Sequence, residues 1–214
     1  MSRHDTEQEQ LEAIKAWWTK YGTYLLSGVL IIAIAFAGWR YWQSYTYTQS
    51  ANASALFEVL EISHNNAMFG EVSREARRLM QEQPSSPYAG SAAMMLAQFH
   101  WEKGETEETL EALSWVVNNK QTADLKQVAH LRLARIYIEI KDFAQAQQQL
   151  DLVNAYVLLP VQQANVDYVA GLLALAQQDV LQAHQAFKRV AENEQAQVDL
   201  RNLASIHMDD LAQE

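Results

Sequence analysis

Cysteine is missing from all 214 residues, and with it go disulfides, thiolate nucleophiles and zinc–thiolate sites. Glycine occurs seven times and proline three. That leaves little room for β-hairpins or a Gly-rich phosphate loop, so the chain reads as nearly all helix. Basic residues are outnumbered, 16 Lys and Arg against 26 Asp and Glu. Four of each class precede residue 41, so the part beyond carries the full net charge of −10. An acidic surface repels a phosphate backbone, which argues against nucleic acid as a partner. His4, His64, His100, His130, His184 and His207 stand without metal-ligand spacing, and no HExxH pattern, nucleophile elbow or P-loop occurs. The composition predicts a non-catalytic protein with no cofactor and no metal.

One long uncharged run is present. Between Lys20 and Arg40 lie nineteen residues, YGTYLLSGVLIIAIAFAGW, without a charge. As a helix they extend about 28 Å, close to the hydrocarbon thickness of a bilayer. Trp17, Trp18, Tyr21 and Tyr24 mark one end, and Trp39, Tyr41 and Trp42 the other, as amphipathic rings do where lipid meets water. The run predicts a single membrane crossing over residues 21–42. Arg3, Lys15 and Lys20 precede it, while Arg40 sits at its edge and the next basic residue is Arg74. That bias predicts a short cytoplasmic segment, 1–20, with the remainder, 43–214, across the membrane. Ala35-Phe36-Ala37 has the small-x-small form of a signal-peptidase site. The long tail with Asp5, Glu7, Glu9 and Glu12 is unlike a basic signal n-region, and the retained anchor is the favoured reading. Leu11, Ile14 and Trp18 at helical spacing make residues 6–20 a helical extension of the span or an amphipathic helix on the inner surface. Gly28, Ala33, Ala35 and Ala37 would let another helix approach, though alanine is common in any membrane helix.

Beyond the anchor the sequence repeats. HWEKGETEETLEALSWVV, YIEIKDFAQAQQQLDLV and LALAQQDVLQAHQAFKRV align with Gly104, Lys141 and Gln178 in one column, 37 residues apart. Glu105, Asp142 and Asp179 form the next column. Small residues follow (Thr109, Ala146, Ala183), then large ones (Leu113, Leu150, Phe187) and valines (Val116, Val153, Val190). Upstream lie Leu96, Leu133 and Ala170, then Ala97, Ala134 and Gly171. This order of small residue, turn, small residue and large apolar residue is the tetratricopeptide pattern of paired antiparallel helices. The fold class is therefore all-α: one transmembrane helix, then a tetratricopeptide-like superhelix of helical hairpins. The spacing exceeds the usual ~34 residues, and the excess is assigned to inter-repeat loops such as the one before Pro160. Residues 49–82 read as a further hairpin ended by Pro84 and Pro87, with a degenerate turn column. Residues 195–214 read as a capping helix carrying Val198, Leu203, Ile206 and Leu211, with Asp209 and Asp210 on its polar face.

In tetratricopeptide superhelices the first helix of each hairpin lines the concave surface. Projection of the alignment puts Met94, Gln98 and Trp101, then Leu131, Arg135 and Ile138, then Tyr168, Leu172 and Leu175 on that surface. The lining is apolar and aromatic with one arginine, suited to an apolar helix or extended peptide anchored by Trp101 and Tyr168. The C-terminal helix or the 49–82 hairpin filling the groove is the equal alternative. His100 occupies the column that usually holds a packing tyrosine and is expected to be a partly buried helix residue. Glu105, Glu107, Glu108 and Glu111 are expected to serve the positive end of a helix dipole.

EQLEAIKAWWTKYG before the span, GWRYWQS at its exit and LRLARIYIEIKDFAQAQQQLDLV in the middle repeat together resemble the YfgM family of ancillary SecYEG translocon subunits. The resemblance runs the length of the chain. It implies a bitopic protein of the bacterial inner membrane with its repeats in the periplasm. It further implies a place beside the translocon, work with the anchored chaperone PpiD, and a role in holding unfolded or nascent secreted proteins. It supplies no residue-level binding motif. Two other readings stay open: a structural adaptor of another envelope complex, and a regulator that sequesters a signalling partner through its tail or anchor.

Overall fold

A computed structural model describes residues 3–66 and 68–212, with side-chain positions for these apart from 3–10, 13, 49 and 69. The tail side chains of Arg3, His4, Asp5, Glu7 and Glu9, and residues Gln213 and Glu214, lie outside the described set. The chain divides into two compact units, Met1–Ala51 and Asn52–Glu214. Among the described residues every regular element is an α-helix.

Helix α1 runs from Arg3 to Asn65 without interruption. The segment expected to open a separate hairpin near residue 49 is the end of this helix. No proline precedes Pro84, so no residue lacks the N–H that the helical ladder needs. In the first unit Val29, Leu30, Ile31 and Ile32 are consecutive and 57%, 61%, 67% and 70% exposed. At 100° per residue these four cover every side of the helix, and a helix apolar all round needs an apolar surrounding. It is the one helix among the described residues long and apolar enough to cross a bilayer. Two of its hydroxyls are satisfied within the helix: Thr19 Oγ1 donates to the Lys15 carbonyl and Ser27 Oγ to that of Thr23, each at 2.8 Å. Neither needs water, as a lipid setting requires.

The second unit is a row of helical hairpins. The end of α1 and α2 (Phe69–Glu82) precede the pairs α3 (Pro87–Glu102) with α4 (Thr106–Asn118), α5 (Ala123–Glu139) with α6 (Phe143–Asn154), and α7 (Pro160–Ala176) with α8 (Val180–Ala191). α9 (Val198–Leu211) closes the row. Each helix of a pair packs on its mate, and α5 also packs on α7.

The three turn-column residues are the ones with left-handed backbones: Gly104 at φ 76°, Lys141 at 62° and Gln178 at 64°. Each sits in a Schellman closure. The next residue's N–H reaches back five positions, from Glu105 to the His100 carbonyl (2.9 Å), Asp142 to Tyr137 (2.8 Å) and Asp179 to Ala174 (2.9 Å). Asp142 and Asp179 then cap the following helix, their Oδ1 atoms accepting from the N–H of Gln145 and Gln182 at 3.1 and 3.0 Å. Glu105 caps nothing and instead faces His100, its Oε2 2.5 Å from Nδ1. That hydrogen bond holds the Glu105 carboxyl below its ordinary value.

The hairpin turns keep one length, while the inter-repeat loops at 119–122, 155–159 and 192–197 differ. The repeat columns form the core. Leu113, Val116, Val153, Phe187 and Val190 are fully buried, and Leu150 is 2% exposed. Ala134 and Ala146 share a cluster with Leu150, Val153, Val166 and Leu173. Small residues thus bring the two helices of one hairpin together, and larger ones fill the space toward the next.

At the C-terminal end Leu211 packs as expected of the apolar residues on α9, and the other three do not. Val198, Leu203 and Ile206 are exposed. Leu200, Ala204, Met208 and Leu211 pack on α7 and α8 instead, with His207 stacked 4.6 Å from Phe187 at 15°. Leu203 and Ile206 are three residues apart, and Leu200, Ala204 and Met208 recur every four, so the second set is the more regular helical stripe.

Candidate protein-binding groove

The helices α3, α5 and α7 present one face, and two hollows open along it. The first, of about 320 Å³, lies between α3 and α5 and is lined by Gln98, Trp101, Leu113, Arg132, Arg135 and Glu139, among others. The second, of about 410 Å³, lies between α5 and α7, with Val128, Leu131, Arg132, Arg135, Leu158 and Tyr168 in its wall and Leu200 and Leu203 contributed by α9. Arg132 and Arg135 border both, so the hollows form one tract across the middle repeat.

Five of the nine residues projected onto this face line it: Gln98, Trp101, Leu131, Arg135 and Tyr168. The other four pack inward. Met94 is 8% exposed within the first core cluster, Ile138 packs on the second, and Leu172 and Leu175 pack on the third. Trp101 is 42% exposed at the rim. Tyr168 is partly engaged already. Its hydroxyl lies 3.3 Å from His207 Nε2, and its ring meets Phe187 edge-on at 5.7 Å.

The question of self-filling therefore divides along the face. Through His207, α9 covers part of the third repeat, whereas among the described residues none from α2 or the end of α1 lines either hollow. Arg132 and Val128 were absent from the sequence projection, as was Leu203. The first two lie on α5 next to projected positions, and the columns assign only every third or fourth residue to the face.

The electrostatics of the tract are simple. Arg132 and Arg135 are one helical turn apart and so share a face. Burial pushes the Arg132 guanidinium below its ordinary value, and the charge of Arg135 adds to that. Among the described residues neither arginine forms an ion pair. Glu139 lies four residues beyond Arg135, at ordinary pairing distance on a helix, and stays apart. No three His, Asp or Glu side chains among the described residues gather as metal ligands. The face offers apolar surface, an exposed indole and two cations without an ion pair among the described residues.

The comparisons with known proteins agree with this architecture. The family model for a tetratricopeptide repeat-like domain matches residues 15–213. Among curated proteins, the Ancillary SecYEG translocon subunit of Escherichia coli is 28% identical, over 72% of this chain and 74% of its own length. That of Neisseria gonorrhoeae is 26% identical, over 71% and 73%. That of Haemophilus influenzae is 23% identical, over 92% and 97%. These bear the same name as the family that the anchor-flanking and middle-repeat segments resemble. No solved structure gives a significant match. With the match extending from the helix before the uncharged run to the end of the last repeat, the chain belongs to the tetratricopeptide repeat-like domain family.

Proposed function

We propose that this chain is a membrane-anchored, non-catalytic protein-binding subunit associated with the Sec translocon. The observation that carries the reading is the open tract on α3 and α5, with Trp101 half exposed at its rim, in a chain tethered by α1. The names of the relatives supply the translocon. In this reading the N-terminus is cytoplasmic and the repeats are periplasmic, following the bias of Arg3, Lys15 and Lys20. The groove takes segments of proteins emerging from the channel, or of the anchored chaperone PpiD, and holds them without covalent chemistry. Tethering confines a weak binder near the channel exit and so raises its effective concentration.

Photo-crosslinking in native membranes tests this. Probes at Trp101, Arg135 and Leu203 face the tract, and a probe at the exposed Gln147 on α6 serves as control. Adducts to translocon subunits, PpiD or secreted chains from the groove probes alone are the expected result. Adducts confined to this chain, or equal from Gln147, overturn the reading and favour a structural adaptor without client binding.

A further inference from the structure

The second unit is strongly acidic, yet the tract on α3, α5 and α7 is crossed by two cations that no ion pair among the described residues neutralises. Such a pair is costly to hold together. Two guanidinia on one helical turn repel, and the repulsion grows where water is partly excluded. A fold that needed only solubility there could pair Arg135 with Glu139, which is four residues away but does not engage it.

The surroundings narrow the chemistry of an incoming group. Trp101 stands on one side of the arginines and Leu131 on the other, so the tract sets apolar contacts around a cationic centre. A polyphosphate or a nucleic acid strand would meet the acidic surface around so small a cationic centre, at a net charge of −10. One or two carboxylates match two guanidinia in charge and in planar geometry.

We propose that Arg132 and Arg135 select partner segments in which an Asp or Glu lies within a turn of a large apolar side chain. The carboxylate bridges the two guanidinia, and the apolar side chain packs on Trp101 or Leu131. This rests on the reading of the face as a protein-binding groove and adds its selectivity. Apolar anchoring supplies contact with many unfolded segments, and the arginine pair favours acidic ones over basic ones.

The test uses the full chain in lipid nanodiscs, panned against a random dodecamer peptide library displayed on phage. Three forms are compared: the natural sequence, Arg132→Gln/Arg135→Gln, and Trp101→Ala. None of the three side chains belongs to a core cluster, and circular dichroism confirms equal helix content before panning. The expected result is enrichment of peptides with Asp or Glu near Leu, Phe or Trp. The acidic preference should disappear in the arginine variant, and all enrichment should weaken in Trp101→Ala. Affinity of a selected peptide should drop about tenfold in the arginine variant, between the effects typical of exposed and of buried pairs.

Apolar enrichment with no acidic preference, or a preference that persists without the arginines, overturns the selectivity and leaves the groove reading intact. Enrichment indifferent to both variants overturns both. A concentration-dependent dimer in detergent micelles that the arginine variant abolishes would make the occupant a second copy, and would equally overturn the proposal.

Discussion

Gly171→Ala puts helix propensity and packing in direct opposition. Gly171 lies inside α7, where alanine is intrinsically better by about 1 kcal/mol. Read as a helix alone, the substitution stabilises. In the folded repeat a Cβ at this position would stand 2.6 Å from Cε1, 2.8 Å from Cδ1 and 2.9 Å from Cζ of Phe187. That ring has no free direction: it is fully buried, stacked on His207 at 4.6 Å and met edge-on by Tyr168. Relief requires α7 and α8 to separate, or the ring to push α9 away. Overpacking of this kind costs about 1–3 kcal/mol, and a pinned ring belongs at the upper end. The net is a loss of about 1–2 kcal/mol after the propensity gain. For a domain of this size that lowers Tm by about 2–8 °C. Thermal unfolding of the full chain in detergent, followed at 222 nm, measures it. Gly70→Ala on α2 is the control, because its Cβ would meet nothing within 4 Å. Repeating Gly171→Ala in a Phe187→Leu background should shrink the penalty, since Cε1 and Cζ are gone and the remaining δ carbons are free of the rigid ring. A raised Tm for Gly171→Ala, or an unchanged penalty in the Phe187→Leu background, would refute the reasoning.

Lys141→Gly and Gln178→Gly should each stabilise by about 0.5–1 kcal/mol, because both side chains sit at left-handed φ, where glycine alone is unstrained; chemical denaturation midpoints check this. Glu105 contributes stability that depends on its hydrogen bond from His100, which holds its carboxyl below the ordinary 4.5. Since the folded value is the lower one, this contribution is complete above about pH 4.5 and is lost as pH falls through the folded value. Tm measured from pH 6 to pH 3 should therefore fall less steeply in Glu105→Gln over that acid window, and an identical slope would contradict the assignment. Trp101→Ala should change stability by no more than about 0.5 kcal/mol, as expected for an exposed side chain, while removing groove crosslinks to partners; a large loss of stability would mean that the indole belongs to the core.

Local rules were enough for much of this protein. The uncharged run made a helix long and apolar enough to cross a bilayer, because length and apolarity are all that a crossing asks of a sequence. The column of Gly104, Lys141 and Gln178 marked the hairpin turns before any coordinates, although two of its members are not glycine. Its neighbours Asp142 and Asp179, good caps, confirmed the register. The buried columns at Leu113, Leu150 and Phe187 followed from the same spacing. What periodicity left open was settled across the chain. Met94, Ile138, Leu172 and Leu175 shared the projected face with Trp101 and Arg135, but each found neighbours on an adjacent helix and packed inward. On α9 the set Val198, Leu203 and Ile206 lost to the stripe of Leu200, Ala204 and Met208, because the latter brings His207 onto Phe187. Arg132 entered the groove without a signal of its own, since an exposed arginine on a helix resembles any solvated residue until the walls around it are in place. Sequence by itself determined the helices, their turns and the long apolar run, which depend on residues a few positions apart. Which face each helix buries, and so which side chains remain for a partner, was decided only by tertiary packing between elements tens of residues apart.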